Sequence, residues 1–177
     1  NGFSVAAVGG RRDVMEVGSI DRLGAERTFL LSSTHGGEMS GLGAFVETLA
    51  IYQEKNVIQH MWNFGNDLRV GLESIASEMG VGENFLLDGP DICLSYVLRD
   101  RDGAVSLPLR TLFAQEMIKG GVIIPWISVS LAHDEAELEK TLDAASNALK
   151  IINKAVADGV DNFLVGSAIK PVFRKHN

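Results

Sequence analysis

Apolar positions along this chain recur with two periods, and the switch between them divides it. Residues 3–8 are a short apolar run between Gly2 and the Gly9-Gly10 pair, which fits a buried strand. Residues 11–16 predict one or two helical turns ended near Gly18, 21–27 is polar loop text, and 28–32 is a second short strand candidate. From 41 to 53 the apolar residues Leu42, Phe45, Val46, Leu49 and Ala50 keep a helical spacing. A second helix is predicted over 56–79, with the stripe Met61, Phe64 or Gly65, Leu68, Leu72, Ile75 and Met79. Asn56 is its N-cap candidate and Gly80 its C′ glycine. So little loop separates the two helices that they predict an elbow or one long kinked helix.

After Gly80 the period shortens. Residues 85–87, 92–98 and 123–131 are strand-like, and Cys93, Ser95 and Val97 alternate with Leu94, Tyr96 and Leu98. Arg99-Asp100-Arg101-Asp102-Gly103 is a charged turn broken by Asp-Gly. Residues 107–119 predict a helix with Pro108 in its first turn, Leu109, Leu112, Phe113 and Met117 on its inner face, and Gly120-Gly121 at its end. Asp134 opens a last helix, with Glu137 at capping-box distance and the stripe Leu138, Leu142, Ala145, Leu149, Ile152 and Val156. The order β-β-α-β-α over 80–158 predicts a small α/β domain whose last helix packs on its sheet. Beyond Gly159 the pattern weakens.

Composition narrows the function classes. The 177 residues carry a net charge of −7, and basic residues cluster only at Arg11-Arg12 and in the 170–175 tail, so nucleic acid is not an expected partner. The single Cys93 gives no internal disulfide, the four histidines show no ligand spacing, and no apolar run approaches membrane length. A cytoplasmic location is expected. The chain opens on Asn1-Gly2-Phe3 without methionine and is strand-like by Val5, so it reads as beginning inside a larger protein.

The stretch Ser32-Ser33-Thr34-His35-Gly36-Gly37-Glu38-Met39-Ser40-Gly41 joins an apolar run to a helix start. Free backbone N–H groups at a helix start, glycines that admit close approach and neighbouring hydroxyls suit an anion such as phosphate. The same residues also serve as ordinary caps and turn formers. Elsewhere the chemistry is sparse. Asp21, Asp67, Asp88, Asp91 and Glu116 read as surface carboxylates. His133 is placed in a cap or at the surface, with a ligand as the alternative, and Trp62 and Trp126 are read as packing residues. Arg110 suits a surface ion pair, with a bound carboxylate as the alternative, and Cys93 a small buried side chain.

Four segments in order resemble the class III, pyridoxal-phosphate-dependent aminotransferases, nearest the branch similar to glutamate-1-semialdehyde 2,1-aminomutase. Residues 1–12, Asn-Gly-Phe-Ser-Val-Ala-Ala-Val-Gly-Gly-Arg-Arg, look like the segment just downstream of the family's cofactor lysine. Residues 32–38 look like its Ser-Thr-aromatic-Gly-Gly loop, and residues 109–117 and 130–133 like parts of its C-terminal domain. The resemblance implies a fold type I α/β architecture: 1–55 as the end of the large domain, 56–79 as a linking helix and 80–177 as the small C-terminal domain. It implies a homodimer, pyridoxal 5′-phosphate as cofactor, and Thr34, with Ser33 beside it, binding the cofactor phosphate of the neighbouring subunit. His35 replaces a larger apolar or aromatic residue. The Schiff-base lysine would precede Asn1, so the resemblance assigns no catalytic residue to this chain, which on its own is expected to be inactive. The implied reaction moves an amino group between an amine or amino acid and a carbonyl compound. The alternatives are a glutamate-1-semialdehyde-type aminomutase and a non-catalytic dimerisation or binding module descended from such enzymes.

Overall fold

The computed structural model describes residues 2–21, 23–24, 26, 28 and 36–171. The chain divides into two compact units, Asn1–Asn56 and Val57–Asn177. The expected strand over 28–32 lies almost wholly outside the described residues.

In the first unit, α1 (Arg12–Met15) continues into a 3-10 turn, Glu16–Gly18, as the sequence predicted. Residues 3–8 form no strand and are exposed, because a strand needs a ladder partner and none stands beside them among the described residues. The run instead passes over α2 (Met39–Glu54), where a Cβ at Gly41 would lie 2.7 Å from the Ser4 carbonyl oxygen. Gly41 is buried for that reason. The periodicity of α2 is the predicted one, yet Leu42, Phe45, Val46 and Leu49 are exposed.

Asn56, the residue immediately before α3, is left-handed with φ 48°. Asparagine tolerates this conformation better than most side chains, so it ends α2 one residue past its C-cap Lys55.

The second unit contains α3 (Val57–Glu78), β1 (Phe85–Asp88), β2 (Ser95–Leu98), α4 (Leu107–Lys119) and α5 (Glu135–Asp158). The residues expected to form a linking helix are thus packed inside this unit, against α5 and the 3-10 turn Asp91–Cys93. Gly80, at φ 70°, ends α3 in a Schellman arrangement: the Gly80 N–H donates to the Ser77 carbonyl and the Val81 N–H to that of Ala76. Strands β1 and β2 are antiparallel, with Phe85 opposite Leu98 and Asp88 opposite Ser95. The predicted charged turn comes next, with Asp100 Oδ1 accepting from the N–H groups of Asp102 and Ala104. Ser106 Oγ caps α4 by accepting from the Leu109 N–H.

Three expectations are corrected here. The 92–98 strand begins only at Ser95, since Asp91–Cys93 turns, and this turn leaves Cys93 exposed while Leu94, Tyr96 and Leu98 stay buried. The strand over 123–131 does not form. Ile124, Ile127 and Val129 are buried, but both Pro125 and Trp126 stand between the first two, one exposed residue too many for alternation. Finally, α5 packs on α3 and α4 and not on the sheet.

That helical packing holds the core. Leu149 and Ile152 are fully buried, and Ala144, Ala145 and Ala148 let the neighbouring backbones come close. A Cβ at Gly120 would lie 2.6 Å from the Ala144 Cβ, and one at Gly65 would overlap the Asp91 carbonyl oxygen. Burying each large aliphatic side chain contributes about 1.5–3 kcal/mol. Arg69 ties the same place together, pairing with Asp91 and donating to the Gly89 carbonyl. Asp91 is therefore an ion-pair partner, while Asp21, Asp67 and Asp88 are exposed as expected. The capping box of α5 is present, with the Asp134 side chain accepting from Ala136 N–H and Glu137 Oε2 from Asp134 N–H.

Two outcomes test this packing. Gly65→Ala destabilises the protein in urea unfolding, although alanine is intrinsically favoured in a helix. Gly43→Ala in α2, where a Cβ meets nothing within 4 Å, is instead stabilising, by about 0.5–1 kcal/mol. For the cap, hydrogen bonds from Ala136 N–H and then from the Glu137 side chain hold the Asp134 pKa below its ordinary value. A depressed pKa contributes stability above the unfolded-state value of ~3.9, and that contribution disappears as pH falls through the folded value. Thermal melts of Asp134→Ala therefore lie below wild type at pH 7 and converge with it under acid.

Candidate functional site

Ser33, Thr34 and His35 lie outside the described residues, so the cofactor-phosphate assignment to Ser33 and Thr34 remains an expectation. The described chain resumes at Gly36. Gly36 and Gly37 form a turn, with Gly37 at φ 73°, a left-handed value that glycine adopts without strain. Glu38 is the N-cap of α2 in extended conformation, and its side chain does not cap the helix. Its carboxylate Oε1 accepts from the Ser40 hydroxyl at 3.1 Å. The N–H groups of the first turn have no intrahelical acceptor, as at any helix start, and carry partial positive charge. A left-handed glycine turn leading into those groups fits a phosphate group. Gly41, by contrast, is required for packing against Ser4.

The second unit builds a different set of contacts. Among the described residues Arg110 has no ion-pair partner, and its guanidinium is spent on backbone carbonyls. Its Nη1 donates to the Tyr96 carbonyl at 2.6 Å and its Nη2 to the Pro125 carbonyl at 2.9 Å, and its guanidinium lies 4.3 Å from the Tyr96 ring centroid. The Tyr96 hydroxyl donates to the Ile124 carbonyl at 2.7 Å. Burial pushes the Tyr96 pKa up, with Arg110 opposing, which keeps the hydroxyl a donor. These side chains take the carbonyls that a third strand would have used. His60 Nε2 donates to the His133 carbonyl at 2.9 Å, and the His133 ring lies 5.5 Å from that of Phe64. No spacing in the sequence joins His60 to His133, because the contact spans two elements. Nor does spacing show that Arg110 reaches Pro125. Trp62 and Trp126, read as packing residues, are both exposed.

Among the described residues no group of histidine, cysteine, aspartate and glutamate could hold a metal ion, and no helix is long and apolar enough to cross a membrane.

The fold is that of the C-terminal portion of a fold type I, pyridoxal-phosphate-dependent protein. It matches the structure of the PLP internal aldimine form of the FumI protein of Sphingopyxis sp. MTA144 with a TM-score of 0.59 and 24% identity, over 67% of this chain and 28% of that one. Two curated relatives are glutamate-1-semialdehyde 2,1-aminomutases. The one from Methanococcoides burtonii is 26% identical over 84% of this chain, and the one from Halobacterium salinarum 27% identical over 84%. The chain is thus a partial relative of class III PLP-dependent enzymes, and it spans 36% and 40% of the lengths of those two. No family model matches it.

The Arg110 contacts make a direct prediction. Removing a charged donor costs about 1.5–3 kcal/mol, so Arg110→Ala lowers stability by that much in urea unfolding and speeds amide exchange at Ile124 and Trp126. Arg110→Lys recovers only part, since an ammonium cannot bridge two carbonyls in one plane while stacking on Tyr96. Unchanged exchange at both amides would show that Arg110 does not clamp this segment.

Proposed function

We propose that this chain is the C-terminal part of a PLP-dependent, class III aminotransferase-like enzyme that moves an amino group between an amine or amino acid and a carbonyl compound. The observation that carries the reading is the relatedness to two aminomutases over most of the chain, joined to a fold shared with a PLP protein. In this proposal 1–55 closes the large domain, 56–79 leads out of it and 80–177 is the small domain. The enzyme works as a homodimer. Pyridoxal 5′-phosphate supplies the electron sink that makes amino-group chemistry possible.

This chain's share is the phosphate cup. Ser33 and Thr34 supply hydroxyl donors, and the left-handed Gly37 turn leads to the start of α2, whose dipole favours the anion. No lysine of the chain stands in the context of the family's cofactor lysine, so the proposal places that group in another part of the enzyme.

The second reading, an aminomutase that shifts the amine within one substrate, is favoured by the names of both curated relatives. Turnover by the full-length enzyme with and without an external keto acid separates the two: an aminomutase needs none, a transaminase stalls without it.

A hydrogen bond to a charged oxygen is worth about 1.5–3 kcal/mol. In the full-length enzyme Thr34→Ala therefore weakens cofactor affinity about ten- to a hundred-fold, read by absorbance titration with pyridoxal phosphate, with the circular dichroism unchanged. Thr34→Ser restores most of it. Unchanged affinity in Thr34→Ala removes Thr34 from the cup.

A further inference from the structure

A cavity of about 520 Å³ opens in the second unit between α3, the irregular segment 121–129 and the first turns of α5. Its volume falls within the ~300–1,000 Å³ of small-molecule sites. The floor is apolar: Phe64, Leu68, Ile124, Ile127 and Val129 all line it and all are buried. At its mouth stand Ile123, 82% exposed, and Trp126, 68% exposed, two large apolar side chains left in water beside an apolar floor.

One edge is polar, and most of its groups are already engaged. The Thr141 hydroxyl donates to the Glu137 carbonyl, Glu137 Oε2 accepts from the Asp134 N–H, and the His133 carbonyl accepts from His60. Lys140 differs. Among the described residues it has neither a hydrogen bond nor an ion pair. Its Nζ lies 3.4 Å from where a Cβ on Gly121 would stand, so the ammonium rests against the Gly120-Gly121 turn, in space that a side chain there would narrow.

We propose that this cavity binds a small amphipathic monocarboxylate, its apolar body on Ile124, Ile127 and Phe64 under Trp126, its carboxylate paired with Lys140. Charge complementarity selects a monoanion. The edge offers the Lys140 ammonium, and the Glu137 carboxylate one turn earlier on the same helix repels a second negative charge. The clamp of Arg110 and Tyr96 on Ile124 and Pro125 fixes the wall on which the apolar body lies. The site stands on residues of the second unit alone and is independent of the cofactor proposal.

The test titrates the intact chain with 4-phenylbutyrate and with neutral 4-phenylbutan-1-ol, followed by calorimetry and tryptophan fluorescence. Both probes bind saturably at one site with a blue shift of the emission, and Trp126→Phe abolishes the shift while the calorimetric signal persists. Wild type prefers the carboxylate about two- to fivefold, as befits an exposed ion pair. That preference disappears in Lys140→Gln, whose melting temperature is unchanged, and in wild type at ~1 M salt. No saturable binding, equal affinity for the two probes in wild type, or a preference that survives Lys140→Gln overturns the proposal.

Discussion

The close approach of α5 to α3 and α4 is the constraint on which the second unit depends. Two strands of four residues cannot bury a core. The helices must do so, and they manage it by meeting at small residues. Ala144, Ala145 and Ala148 face the neighbouring helices, and Gly120 lies so near Ala144 that a methyl group there would overlap it. With the backbones that close, Leu149 and Ile152 reach full burial among Leu72, Leu112 and Met117. Capping then fixes the ends of these helices. The box at Asp134, the Schellman turn at Gly80 and the Asn153 amide donating to the Met79 carbonyl each satisfy groups that a helix terminus leaves open.

Holding the core by helices leaves the sheet short, and the consequence appears at 122–129. This segment has buried side chains but no ladder, so its carbonyls must find other donors. Tyr96 supplies one and Arg110 another. The same two residues therefore finish the core and shape one wall of the cavity. A continuous third strand would have replaced those contacts with backbone pairing. The kink at Pro125 and Trp126 turns an indole outward instead of inward.

The first unit has a different balance. Its helix α2 leaves Leu42, Phe45, Val46 and Leu49 exposed, and its run over 3–8 has no pairing partner among the described residues. The chain spans 36% and 40% of the lengths of the two aminomutases it is similar to. The glycine turn that enters α2 is the part of the proposed cup that the structure describes, and the hydroxyls of Ser33 and Thr34 complete it in the proposal.

Local rules were enough for the helices. The periods of α2 to α5, Gly80 and Gly121 as terminators, Pro108 in a first turn and the Asp134–Glu137 box were all legible, because each depends on residues within one or two turns. The family likeness was legible for a similar reason, since short segments in a fixed order survive at low identity. What the sequence left open depends on residues far apart in the chain. Apolar text at 3–8 and 123–131 could not say whether a strand partner would stand beside it. Cys93 and Trp126 stand in apolar text beside buried neighbours, yet a turn at the one and an extra residue at the other put both outside. Arg110 looked like a surface cation until Tyr96 and Pro125 were brought to it from two other segments. Periodicity records which side of an element is apolar; only the tertiary structure decides what, if anything, covers that side, because burial and hydrogen-bond satisfaction are properties of the pair and not of the segment.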